Sequence, residues 1–153
     1  YKRQVQQASF LKDSPPGGLS DLTLVEDLTD NDSNKIISIP ANTRYKLLSL
    51  YVEYEASSTT GNRNVEVRFR NSDNEVFLDI RMNPAITAGS FRRLNFYPGA
   101  GNTFDQFEGG SGYMSMSSLI MPGGFDIHIL DTGAIDVSDD KMLIYLLVQE
   151  WTV

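Results

Sequence analysis

From Lys35 onward, apolar and polar residues alternate with a period of two, and turn-forming residues interrupt them about every 8 to 15 positions. Successive side chains of a strand point to opposite faces, so each run predicts a strand with one face in a core. Ile37 and Ile39 open the series. After Pro40-Ala41-Asn42, the run Tyr45 to Glu55 places Leu48, Leu50, Val52 and Tyr54 on the core face, with Ser49, Tyr51, Glu53 and Glu55 opposite. Val65, Val67 and Phe69 alternate with Glu66, Arg68 and Arg70. The turn Asn71-Ser72-Asp73-Asn74 then leads into a return strand with Val76, Leu78, Ile80 and Met82 inward and Phe77, Asp79 and Arg81 outward. These two runs predict a hairpin. Phe91 to Tyr97 and Tyr113 to Ile120 add two strands, and Pro122-Gly123-Gly124 predicts a tight turn into Phe125, Ile127 and Ile129.

The run Lys141 to Trp151 departs from the alternation. Met142, Ile144, Leu146 and Val148 line one face, but Leu143, Tyr145, Leu147 and Trp151 line the other. A strand apolar on both faces is covered on both. The second cover is the N-terminal arm, a long loop or another subunit, and we favour a subunit held through Leu143, Tyr145, Leu147 and Trp151. With no helical pattern longer than a turn or two, the fold class is all-β: a jelly-roll-like antiparallel β-sandwich of about eight strands with an extended N-terminal arm. The arm is drawn over residues 1–35, where Ser14-Pro15-Pro16-Gly17-Gly18 forms a hinge and Thr29 to Asn34 is polar. The sandwich is drawn over residues 36–153. Lys2, Arg3 and Lys12 make the tip of the arm basic, while six acids lie between Asp13 and Asp32.

Composition narrows the function classes. Thirteen basic against 20 acidic side chains give a net charge of -7, which weighs against nucleic acid as a partner because phosphate neutralisation needs clustered Lys and Arg. The longest apolar run, Met142 to Val148, is too short to span a bilayer, so no membrane partner is expected. Without cysteine there is no disulfide, thiolate nucleophile or Cys-ligated metal.

Candidate chemistry is sparse. The single histidine, His128, shares a strand face with Asp126, but a triad would have to recruit a distant serine, and an outward surface role is expected. Asp30-Asn31-Asp32-Ser33-Asn34 spaces oxygen ligands as a calcium loop begins, yet Lys35 stands where such a loop needs glycine and Ala41 where it needs a bidentate glutamate. Asp136 to Asp140 is read as Asx turns rather than a metal site. No catalytic residue, metal or cofactor is assigned. The long connection from Pro98 to Gly112 carries Phe104 and Phe107. Together with Tyr97 and Tyr113 they form a candidate loop for stacking on sugars or anchoring a receptor.

From Asn34 to the end, the chain resembles small all-β virion accessory proteins of tailed bacteriophages. The residues that carry the resemblance are Ile39-Pro40-Ala41-Asn42-Thr43-Arg44-Tyr45, Gly61-Asn62-Arg63-Asn64-Val65, Tyr97-Pro98-Gly99, and Met121-Pro122-Gly123-Gly124-Phe125-Asp126-Ile127 followed by Asp136 to Asp140. The resemblance implies a decoration or cement protein on the capsid surface of a virion, with the major capsid protein as partner and a homotrimer as the favoured assembly. It also implies an arm that grips the shell, and Lys2, Arg3, Phe10, Leu11 and Lys12 are the residues expected to do so. The alternative is a carbohydrate- or receptor-binding module using the loop aromatics.

Overall fold

Eleven strands in two sheets account for the alternation, with no helix among the described residues. The computed structural model describes residues 20–29, 34–82, 85–100, 103–105, 110–136 and 138–153. In chain order the strands are β1 (Asp21–Asp27), β2 (Asn34–Ser38), β3 (Thr43–Glu55), β4 (Val65–Arg70), β5 (Val76–Arg81), β6 (Phe91–Tyr97), β7 (Thr103–Asp105), β8 (Ser111–Ser115), β9 (Ile120–Pro122), β10 (Asp126–Asp131) and β11 (Lys141–Thr152).

Their pairing is nested. β4 pairs with β5, β3 with β6, β2 with β10 and β1 with β11, all antiparallel, so the chain runs out along one side of a ribbon and returns along the other. Winding that ribbon sends alternate pairs to two sheets, β1-β11-β3-β6 and β2-β10-β4-β5. This is the jelly-roll order of an eight-strand sandwich. The segment between β6 and β10 supplies the other three strands, all on the larger sheet. β8 lies parallel to β6, β7 pairs with β8, and β9 pairs with β3.

Three expectations change here. Asp21–Asp27, placed in the arm for its polar composition, is the outer strand of the larger sheet, in unbroken register with Ile144 to Glu150. Its far end is tied to the smaller sheet by buried Lys35, whose ammonium lies 3.4 Å from Asp27 and also donates to the Thr29 carbonyl. The arm residues Lys2, Arg3, Phe10, Leu11 and Lys12 lie outside the described residues. The strand drawn from Tyr113 to Ile120 is two strands, and one of them runs parallel to its neighbour. Finally, Pro122-Gly123-Gly124 does not close a hairpin, because β9 belongs to the larger sheet and β10 to the smaller. The turn carries the chain across the sandwich, and a Cβ at Gly123 would stand 2.4 Å from the Pro40 carbonyl oxygen.

The core lies between the sheets. Ile37, Val67, Phe69, Ile127 and Ile129 face Leu47, Val52, Leu94, Phe96, Ile144 and Leu146 across it. Each such side chain contributes about 1.5–3 kcal/mol by leaving water. The register of β3 breaks where Leu147 pairs with Ser49 but Val148 pairs with Leu47. Leu48 is the extra residue of this bulge, so the inward set is Tyr45 and Leu47 before it and Leu50, Val52 and Tyr54 after it. Strict alternation had put Leu48 in the core. A second bulge, in the β4–β5 hairpin, lets the half-exposed Phe77 turn to the rim, 6.4 Å from Phe69 and 5.9 Å from Phe125.

Candidate interaction surface

The acids around the β10–β11 connection are consumed in holding the fold, and of the run Asp30 to Asn34 only Asn34 lies among the described residues. At one end of the sandwich, the β3–β4 and β10–β11 connections meet around Arg63, which is fully buried. Its Nε donates to Asp140 Oδ2 at 3.0 Å and its Nη2 to Oδ1 at 3.2 Å, while Nη1 takes up the Thr59 and Gly61 carbonyls. The Tyr54 hydroxyl lies between Asp140 and Asp131. Burial alone would raise the Asp140 carboxyl, but hydrogen bonds from Arg63, the Ser57 N–H and Tyr54 hold it below its ordinary value. Burial and the two neighbouring carboxylates push the Tyr54 phenol far up. Asp136 accepts from the Ser57 and Thr59 hydroxyls, and its carbonyl accepts the Asp139 and Asp140 N–H groups, with Ser138 and Asp139 in turns. Sequence reasoning missed Arg63 as a core residue, because its partner lies 77 positions away.

The outer face of the smaller sheet is also internally paired. Arg70 grips Asp126 with two hydrogen bonds, at 2.6 and 2.9 Å, and buried Glu66 is covered by Arg68 and Arg81. His128 lies on this face as expected, but its Nε2 meets Asn34 rather than Asp126. Burial, then the charges of Arg70 and Arg68, lower its pKa. Among the described residues no group of three or more His, Asp or Glu side chains is placed to hold a metal ion.

The outer face of the larger sheet differs. Strand register lays its residues in rows, and one row crosses five strands as Glu26, Tyr145, Tyr51, Asn95 and Tyr113 on β1, β11, β3, β6 and β8. The Tyr51 and Tyr145 rings tilt against each other at 5.7 Å, and the Tyr51 hydroxyl donates to Glu53 at 2.8 Å. On one side of this row stand Leu24 and Leu147, then Leu22 and Gln149. On the other stand Leu143, Glu53 and Arg93, then Lys141, Glu55 and Phe91. Leu22 and Leu24 are 69% and 54% exposed, Tyr97 and Tyr113 40% and 36%. Contiguous exposed apolar area of this kind marks interaction sites on soluble proteins. The Arg93 guanidinium lies 5.0 Å from the centre of the Phe91 ring. A depression of about 120 Å³ lies between Glu53, Glu55, Phe91, Lys141 and Leu143.

Two sets of residues named separately in the sequence thus share one face. Leu143, Tyr145 and Leu147, the expected subunit contacts, are half-buried on it, and Tyr97 and Tyr113 of the candidate ligand loop flank them. Trp151 is different: it is 3% exposed, so its surface is already covered. Phe104 stands opposite Gly112 in β7, and Phe107 lies outside the described residues. Leu22, Leu24 and Tyr51 complete the face. The signal for the two leucines was an alternation of Leu22 and Leu24 with Thr23 and Val25, hidden among acids.

No family model matches the chain, and no curated protein matches it. Among solved structures it is similar to the crystal structure of tomato aspermy virus, at 11% identity and a TM-score of 0.34, over 100% of this chain and 96% of that one. A likeness at that level assigns the chain to no family.

Proposed function

We propose that this chain is a structural virion protein without catalytic activity, which binds the outer surface of a tailed-phage capsid and cements or decorates it as a homo-oligomer. The observation that carries the reading is the Leu–Tyr face of the larger sheet. It exposes leucines and tyrosines with charged residues beside them, whereas the ion pairs at the sandwich end and on the opposite face are bonded to one another. In this reading Leu143, Tyr145 and Leu147 join subunits, and Lys2, Arg3, Phe10, Leu11 and Lys12 engage the major capsid protein. Quantitative mass spectrometry of virions of the encoding phage is the test. A copy number in simple proportion to the shell subunits is the expected result, and absence from the particles overturns it. Removal of residues 1–18 is expected to abolish attachment to particles.

Tyr97 and Tyr113 favour one second reading. Both are exposed on a sheet face beside further tyrosines, as a platform for stacking on sugar rings requires. Glycan binding that is lost in Tyr113→Ala would support it, and no binding across a broad glycan panel would count against it.

A further inference from the structure

We propose that the Leu–Tyr face is the interface of a two-fold dimer of this chain, with its axis running across the strands beneath Tyr51 and Tyr145. The inference rests on the oligomeric reading above and names its partner and geometry. The first argument is shape. The depression on this face, about 120 Å³, falls well short of the roughly 300–1,000 Å³ of small-molecule sites, so a flat partner fits it better than a compact ligand. The second is charge. The outward residues of β3 after the bulge are Ser49, Tyr51, Glu53 and Glu55, and before it comes Lys46. Their signs are segregated along the strand, basic at one end and acidic at the other, with Tyr51 near the middle.

A face-to-face packing about that axis reverses strand direction and lays each row over its mirror row. Lys46 then meets the partner's Glu55, and the partner's Lys46 meets Glu55. On β11 the same operation sets Leu143 against the partner's Leu147, while Tyr145 meets its own copy. On β11 apolar residues thus meet apolar ones and on β3 opposite charges meet, which is the self-complementarity an isologous interface demands, while Glu26, in the axial row at the sheet edge, faces its own copy. A copy of β1 added edge to edge is a poorer solution. Centred on Leu24, it would set Asp21 against Asp27 twice. The two-fold arrangement also differs from a trimer, which needs two distinct complementary patches on each subunit.

The experiment is sedimentation equilibrium of the full chain across a range of concentrations. Wild type is expected at twice the 17.1 kDa chain mass, and Leu147→Glu at the single-chain mass. Lys46→Glu and Glu55→Lys are each expected to weaken dimerisation at least tenfold, and the double exchange Lys46→Glu with Glu55→Lys to restore it. Far-ultraviolet circular dichroism and thermal melting establish that each variant is folded. A monomeric wild type, a trimer, or a double exchange that stays dissociated while each single variant is folded would overturn the proposal. The capsid reading is measured separately by binding to particles. A monomer that still binds particles removes the dimer alone, and a dimer that does not bind them removes the capsid reading alone.

Discussion

Arg63 and Asp140 form a two-pronged ion pair, 3.0 and 3.2 Å long, in which neither side chain touches solvent. The pair joins the loop after β3 to the start of β11, and Tyr54 and Ser57 complete the hydrogen bonding of Asp140. Removing one member of such a pair strands the other charge without solvent. Asp140→Asn is therefore expected to cost about 3–5 kcal/mol. Urea unfolding monitored by Trp151 fluorescence measures it. A loss under about 1 kcal/mol would mean that water reaches Arg63.

The same carboxylates set the acid limit of the fold. Burial would raise Glu66, but hydrogen bonds from Arg68 and Arg81 hold it below its ordinary 4.5, and Asp140 is likewise held below 3.8. Groups lowered on folding bind fewer protons in the native than in the unfolded chain, so their contribution is complete above those ordinary values and lost as pH falls through the lowered ones. Glu66→Gln removes one such group. It is expected to flatten the fall in stability below about pH 4.5 while costing about 1 kcal/mol at neutral pH, since Arg68 and Arg81 keep access to water. Denaturant midpoints of both proteins between pH 2 and 7 give the comparison. Parallel curves would remove Glu66 from the account.

The β3 bulge separates two adjacent leucines. Leu47 is completely buried and Leu48 only partly so. Leu47→Ala is expected to cost about 2–5 kcal/mol through lost burial and the cavity it leaves. Leu48→Ala is expected to cost about 1 kcal/mol or less. Equal losses in thermal or urea unfolding would contradict the register.

That pair also shows how far a sequence pattern reaches. Strand existence was legible wherever one face met the core and the other met water, as in β4, β5 and β10, because burial itself writes a period of two. The hairpin turn was legible because Asn71 accepts the Asp73 and Glu75 N–H groups with its own side chain, a local interaction. The bulge was not, since a single extra residue in β3 leaves a run in which either phase of leucines looks apolar. The parallel contact of β8 with β6 and the crossing of the sandwich at Gly123 depend on partners distant in sequence. On the interaction face, β11 announced itself by being apolar on both sides, whereas β1 was masked by Asp21, Glu26 and Asp27.

Gly123 makes the crossing between sheets possible. An added Cβ would lie 2.4 Å from the Pro40 oxygen and 3.0 Å from the Ala41 Cα, both backbone atoms without a rotamer to yield. Gly123→Ala is expected to destabilise by about 1–3 kcal/mol, as overpacking does elsewhere. Gly89→Ala is a useful contrast: nothing lies within 4 Å of a Cβ there, and its φ of +68° leaves only backbone strain, about 1–2 kcal/mol. Thermal unfolding of Gly123→Ala indistinguishable from wild type would show that the Pro40 turn moves aside.

The start of the folded unit can be decided by truncation. A chain beginning at Ile36 lacks β1, and with it seven residue pairs along β11, the packing of Val25 on the core and the Lys35 contacts that tie the sheets together. It also leaves β11, with its outward Leu143, Tyr145 and Leu147, as an exposed edge, an invitation to aggregation. A chain beginning at Ser20 keeps all of these. The Ser20 chain is expected to unfold cooperatively, and the Ile36 chain to lose cooperative unfolding or to aggregate. Light scattering and calorimetry on the two proteins distinguish the outcomes. A cooperative, monodisperse Ile36 chain would return β1 to the arm and place the boundary of the sandwich at residue 36, where the sequence alone had drawn it.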